Sequence, residues 1–224
     1  YGHDHHQNTN VRYPFPVDPP YVPYENPCGA YVRTFEWKKQ EEAPREFLNF
    51  EGVDSCFYVW MNGSFVGYSQ VSHSTSEFDV TDFLKDGTNI IAVLVLKWCD
   101  GSYLEDQDKF RMSGIFRDVY LYATPQTVVR DYSLVTDFDA DFADSTFSVT
   151  LMLENRGDAD GENTVSAQLY AADGQPVAWT EDAAHAILSA GEAQSVTLSG
   201  VVKTPRKWSA EDPYLYTLVL AETS

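Results

Sequence analysis

Three observations predict an all-β protein. Apolar and polar residues alternate with a period of two through most of the chain, tight-turn dipeptides separate the alternating runs, and only Phe78–Asp86 has the look of a helical turn. Length and composition allow such a fold. At 224 residues there is room for two ordinary domains, and 43% hydrophobic residues with 14 Tyr and 13 Phe are enough to build cores without staples.

From the N-terminus, residues 1–12 are polar and hold His3, His5 and His6, a metal-capable cluster that reads better as a flexible terminus. Residues 14–27 carry six prolines, Pro14, Pro16, Pro19, Pro20, Pro23 and Pro27. Each fixes φ and removes a donor, so an extended crossing is predicted, its interleaved Phe15, Val17, Tyr21, Val22 and Tyr24 lying on something apolar. Tyr31–Trp37 and Glu46–Val53 read as strands. Cys56–Met61, Asn62-Gly63 and Ser64–Tyr68 read as a tight hairpin. Asn62-Gly63-Ser64 also fits a glycosylation sequon, but in this setting Asn62 is a turn residue tolerating positive φ. Thr81 or Asp82 would cap the Phe78–Asp86 turn and Asp86-Gly87 would stop it.

A wholly apolar strand, Ile90–Leu96, then runs into a long polar loop, and an alternating strand over Ile115–Tyr122 leaves it. The loop holds Asp100, Glu105, Asp106 and Asp108, with Tyr103, Leu104, Phe110 and Met112 as anchors. Long loops of this kind are usually functional. Near Thr124-Pro125 the composition shifts towards Ala, Asp, Thr and Ser. Short strands follow at Val128–Leu134, Thr146–Leu153, Thr164–Tyr170, Val177–Trp179, Ser195–Val202 and Tyr216–Leu220, the pattern of a second sandwich. Domains are therefore expected at 1–123 and 124–224.

A net charge of −19 excludes a nucleic-acid binder. No apolar run is long enough to span a membrane as a helix. Cys28, Cys56 and Cys99 lack metal spacing and sit among apolar residues, so buried free thiols are expected. The chain opens Tyr1-Gly2-His3-Asp4 and looks like an excised segment, any signal peptide lying out of view. Catalytic signatures are missing. Glu105/Asp106 and Glu211/Asp212 are adjacent carboxylates that a strand would point to opposite faces, not a pair about 5 Å apart as a retaining glycosidase needs. His73 and His185 stand alone in polar surroundings.

Three stretches resemble the β-galactosidases of glycoside hydrolase family two. They are Thr9–Pro23 with Glu25-Asn26-Pro27-Cys28-Gly29-Ala30-Tyr31, then Asp100-Gly101-Ser102-Tyr103-Leu104-Glu105-Asp106-Gln107-Asp108 with Arg111–Val119, and Lys207-Trp208-Ser209-Ala210-Glu211-Asp212-Pro213-Tyr214-Leu215-Tyr216. The resemblance implies a jelly-roll sugar-binding domain followed by an immunoglobulin-like β-sandwich, with the family's catalytic barrel after Ser224. It implies that both catalytic glutamates lie in that barrel, so no catalytic residue is expected in this segment. Asp18 and Asp108 match positions that reach the galactose pocket, and Asp108 matches a sodium ligand that acts with the barrel. At the position of Asp18 the best-known member has Asn.

For the full-length parent the resemblance implies magnesium and sodium, a β-galactoside substrate such as lactose, a cytoplasmic location and a homo-oligomer. In the best-known tetramer the second domain extends a long loop into a neighbour's active site, whereas the matching span Ala184–Ala193 is short. A β-glucuronidase, a β-mannosidase or a stand-alone carbohydrate-binding module is the alternative. The last would need an exposed aromatic platform, for which Tyr21, Tyr24 and Tyr103 are the candidates.

Overall fold

The computed structural model describes residues 7–8, 13–105, 108, 110–179 and 183–223; the His3, His5, His6 cluster and Asp106 lie outside them. The chain divides into two compact units, Tyr1–Thr124 and Pro125–Ser224. In the first unit the strands are β1 (Gln7–Asn8), β2 (Cys28–Trp37), β3 (Arg45–Phe50), β4 (Val53–Asp54), β5 (Cys56–Met61), β6 (Ser64–Gln70), β7 (Ser76–Asp79), β8 (Gly87–Leu96), β9 (Phe110–Arg111), β10 (Gly114–Ile115) and β11 (Val119–Thr124). The second holds β12 (Thr127–Phe138), β13 (Ser145–Asn155), β14 (Gly161–Tyr170), β15 (Pro176–Val177), β16 (Ala183–Leu188), β17 (Ala193–Val202) and β18 (Thr217–Thr223). Among the described residues no helix is long and apolar enough to cross a membrane.

Unit 1 is a jelly-roll-type sandwich. A four-stranded antiparallel sheet in the order β2-β8-β5-β6 faces a three-stranded sheet β11-β3-β7. Alternation along the strands sends Phe57, Val59 and Met61 of β5 and Val93 and Val95 of β8 inward, against Leu48 and Phe50 of β3. On the other face of β5 and β6, Tyr58, Trp60, Phe65 and Tyr68 form an aromatic cluster with Phe65 and Tyr68 exposed. The predicted hairpin is present, with φ of 53° at Asn62 and 85° at Gly63, the left-handed pair that matches the twist of the flanking strands. The Asn62 amide donates to the Phe83 carbonyl (2.9 Å) and to Asn89 Oδ1 (2.7 Å), and its oxygen accepts the Ile90 N–H.

Three readings of this unit are corrected. Phe78–Asp86 is not a helical segment: Phe78 ends β7, and only one turn follows, with Phe83 and Leu84 N–H both bonded to the Val80 carbonyl. Its cap is Asp79, whose Oδ1 accepts the Thr81 N–H, rather than Thr81 or Asp82. Val80 and Leu84 are buried in the core, so packing holds the turn without helical propagation. The strand expected over Ile115–Tyr122 is broken into β10, paired with β4, and β11, paired with β3. Cys56 and Cys99 are buried free thiols, but Cys28, at the start of edge strand β2, is exposed.

Unit 2 is a second sandwich, of the immunoglobulin-like type. One sheet is β12-β13-β17; in the other, β14 carries β16 and β15 along one edge and β18 along the opposite edge. Phe147, Val149, Leu151 and Leu153 alternate inward from β13 and meet Val165, Ala167 and Leu169 of β14. The closing stretch Lys207–Tyr216 is irregular, with Arg206 paired bidentately to Asp212 and stacked 4.4 Å over Tyr214. The span Ala184–Ala193 is not a loop. It comprises most of β16, a turn closed by the Glu192 N–H on the Ser189 carbonyl (3.0 Å), and the first residue of β17.

Candidate functional site

The proline-rich segment becomes a strap over one end of unit 1. Phe15 is its anchor, 8% exposed and ringed by Tyr13, Trp98 and Tyr103 at centroid distances of 5.6, 5.0 and 5.4 Å. Prolines leave the strap few N–H groups, so side chains take over the pairing. The Asn26 amide donates to the Trp98 carbonyl (2.8 Å) and its oxygen accepts the Trp98 N–H (2.9 Å), a reciprocal pair that mimics a strand partner. The Tyr13 hydroxyl donates to the Ser102 carbonyl at 2.9 Å.

The start of the loop that follows β8 is held by several hydrogen bonds. Asp100–Tyr103 forms one turn of 3-10 helix, the helix found among the described residues. Its start is closed by the Cys99 N–H on Ser102 Oγ (3.1 Å), while Ser55 Oγ lies 3.0 Å from both Cys99 Sγ and Ser102 Oγ. The hydrogen bond from Cys56, aided by those from Ser55 and Ser102 against the opposing effect of burial, draws the Cys99 thiol down to about 6. The same contact, with burial, pushes Cys56 up. Further along, the Glu105 carboxylate accepts the Ser72 N–H (2.6 Å) and Oγ–H (2.8 Å). It thereby clamps the Val71–Ser74 turn, where Val71 sits at a φ of 81°, a strained value for a β-branched residue.

The three described loop carboxylates have different surroundings. Asp100 accepts the Gly101 N–H, Glu105 holds Ser72, Asp108 is exposed, and Asp106 lies outside the described residues. Arg111 is buried; its Nη2 donates to the Ser102 carbonyl (3.1 Å) and its guanidinium lies 5.6 Å from the Tyr13 ring. Arg117 lies over Phe116, with the Glu51 and His73 carbonyls at 3.5 Å. Among the described residues no three His, Cys, Asp or Glu side chains converge on a metal position. His185 is exposed with Thr164 Oγ1 at 2.9 Å from Nδ1, and His73 packs on Phe116.

Asp18 is exposed at the head of a turn closed by the Tyr21 N–H on the Asp18 carbonyl at 2.9 Å. The turn is bonded to Tyr103, so the strap carrying Asp18 and the loop carrying Asp108 meet at one joint. Of the residues that make this joint, Tyr103 is read from the sequence only as a loop anchor and a platform candidate, Phe15 only as a packing residue among the prolines, and Asn26 is given no role. Tyr21 and Tyr24 are exposed as a platform would require, whereas Tyr103 is stacked on Tyr13 and committed to the joint.

Comparison with known proteins matches this architecture. The family model described as "Glycosyl hydrolases family 2, sugar binding domain" matches residues 1–125, and that described as "Glycosyl hydrolases family 2" matches residues 127–222. A β-galactosidase of Actinobacillus pleuropneumoniae is 46% identical over 98% of this chain and 20% of its own length, and one of Priestia megaterium is 45% identical over 98% and 22%. The chain therefore spans about a fifth of the length of these relatives. Among solved structures, a β-glucuronidase of Bacteroides uniformis superposes with a TM-score of 0.77 at 22% identity, over 89% of this chain and 24% of its own; at that identity it speaks for the fold alone. With both units matched in order by its models, the chain belongs to glycosyl hydrolase family 2.

Proposed function

We propose that this segment is the non-catalytic N-terminal part of a retaining β-galactosidase, acting on terminal β-D-galactosides such as lactose. In this reading unit 1 supplies Asp18 and Asp108 to the rim of the galactose pocket, and both units support a catalytic barrel outside the segment. The observation that carries the reading is the joint at one end of unit 1. It holds the turn bearing Asp18 against the loop bearing Asp108, and these are the two positions that the family resemblance assigns to the pocket. The exposure of both carboxylates suits groups that complete a site formed with another domain. Magnesium in the parent would be held by the barrel, and sodium shared between the barrel and Asp108.

A β-glucuronidase parent is the second reading; the Bacteroides uniformis enzyme shares the fold, which by itself does not separate the two activities. The relatives named β-galactosidase are twice as similar in sequence and favour the first. The test is Asp108→Asn in the full-length parent, assayed on chromogenic galactosides and glucuronides across a sodium titration. The expected result is galactoside turnover with kcat/KM lowered about 10- to 100-fold and a blunted sodium response. Unchanged kcat/KM and sodium response would remove Asp108 from the site; preference for the glucuronide would transfer the parent to the second reading.

A further inference from the structure

We infer that Tyr103 is a positioning residue of this composite site: its hydroxyl fixes the Asp18 turn to the loop that bears Asp108. The inference rests on the galactoside-site reading above. Its geometry is that of one phenol standing in for a missing strand. Within the Asp18–Tyr21 turn, the Asp18 carbonyl and the Tyr21 N–H satisfy each other at 2.9 Å. At the two ends of the turn, the Asp18 N–H and the Tyr21 carbonyl are both taken by Tyr103 Oη, which accepts the first at 3.1 Å and donates to the second at 2.6 Å. A hydroxyl has one hydrogen and two lone pairs, so this bridge uses its donor fully; the Pro16 carbonyl, at 3.3 Å, shares the same hydrogen. Pro16, Pro19 and Pro20 have no N–H with which the segment could join a sheet, which leaves the phenol as the turn's tether.

The aim of the hydroxyl is itself fixed. The Tyr103 ring is stacked on Tyr13 (5.4 Å, 25° between planes) and meets Phe15 edge-on (5.4 Å, 84°). Tyr103 also closes the 3-10 turn anchored by the Ser55, Cys99 and Ser102 cluster. Tyr103 thus links a shift of that turn directly to the Asp18 turn. Contacts to sugar hydroxyls are sensitive to displacements of about an ångström, so such a tether bears on substrate binding without touching substrate.

The test uses the full-length parent with Tyr103→Phe, which removes the hydroxyl and keeps the stacked ring, Asp18→Ala, and the double variant. Tyr103→Phe is expected to raise KM about five- to tenfold with kcat little changed, the loss of one bond's worth of binding common to ground and transition states. The double variant is expected to be no worse than the poorer single variant, because both act through one turn. Amide exchange of the peptide covering residues 13–27 should quicken in Tyr103→Phe while the rest of unit 1 stays protected. Tyr103→Phe with wild-type KM, fully additive effects, or unchanged exchange at 13–27 would each overturn the positioning role. If Asp18→Ala leaves KM unchanged, the site reading fails at Asp18 and the positioning role falls with it.

Discussion

The core of unit 2 and the strapped end of unit 1 are held by different physics. Along β13, Phe147, Val149, Leu151 and Leu153 are each at most 4% exposed, and what they meet is mostly aliphatic. At the strap, Phe15, Trp98 and Tyr103 form an aromatic cluster whose neighbours are fixed by directional bonds from Asn26, Tyr13 and Tyr103. Aliphatic burial is non-directional and tolerates small shifts. An aromatic cluster ringed by hydrogen bonds holds its exposed edge in one place. The first arrangement suits a scaffold, and the second would suit the rim proposed above, where Asp18 has to be held in place.

The contrast can be broken by mutation. Leu151, fully buried, is expected to cost about 2–5 kcal/mol on truncation to alanine. Urea unfolding should show that loss in the transition of unit 2; a loss under about 1 kcal/mol would mean that the core collapses around the gap and is not close-packed. Asn26→Ala should cost less, about 1–3 kcal/mol, since it leaves the Trp98 N–H and carbonyl without their side-chain partner. Limited proteolysis should find the strap cut first in that variant. If cutting begins elsewhere, the reciprocal pair is not what holds the strap.

The smallest effect concerns pH. The Cys99 thiol, drawn from an ordinary 9.0 to about 6, binds its proton more weakly folded than unfolded. Its contribution is therefore full above about pH 9 and fades as pH falls through about 6. Cys56, shifted upward, works in the opposite sense above its own ordinary 9.0. Denaturation midpoints should rise from pH 6 to 8.5, and Cys99→Ser should flatten the rise. A wild-type profile already flat over that range would show that the buried thiols are not coupled to folding.

Much of the fold was legible because alternation is a direct imprint of a half-buried strand. The hairpin at Asn62-Gly63 and the strands β13, β14 and β17 all show it. Strand β16 escaped notice because its inward residues Ala184 and Ala186 are weak strand formers and one of its two large aliphatic side chains, Ile187, points outward at 72% exposure. The single turn after Val80 resembled a helix because turn residues and a stop signal were present; tertiary packing, not periodicity, decided it. Cys28 looked buried by its apolar neighbours, yet an edge strand exposes what composition alone would hide. The site was less legible. Asp18 and Asp108 were named through family resemblance, and no spacing rule marks Tyr103, whose hydroxyl partners lie 82 to 87 positions away. Such contacts exist only once the strap has crossed the sandwich.

One small feature bears on how this chain should be produced. Both amide hydrogens of Asn62 are spent inside the fold, on the Phe83 carbonyl and Asn89 Oδ1. Asn62-Gly63-Ser64 is nevertheless a legitimate acceptor for oligosaccharyl transfer while the polypeptide is still unfolded. A glycan attached there would replace one of those hydrogens and place a bulky group where the hairpin folds against the Phe83 turn. Passage through a eukaryotic secretory route would thus set sugar addition against folding of this domain, and replacing Ser64 rather than Asn62 would remove that conflict while leaving the turn intact.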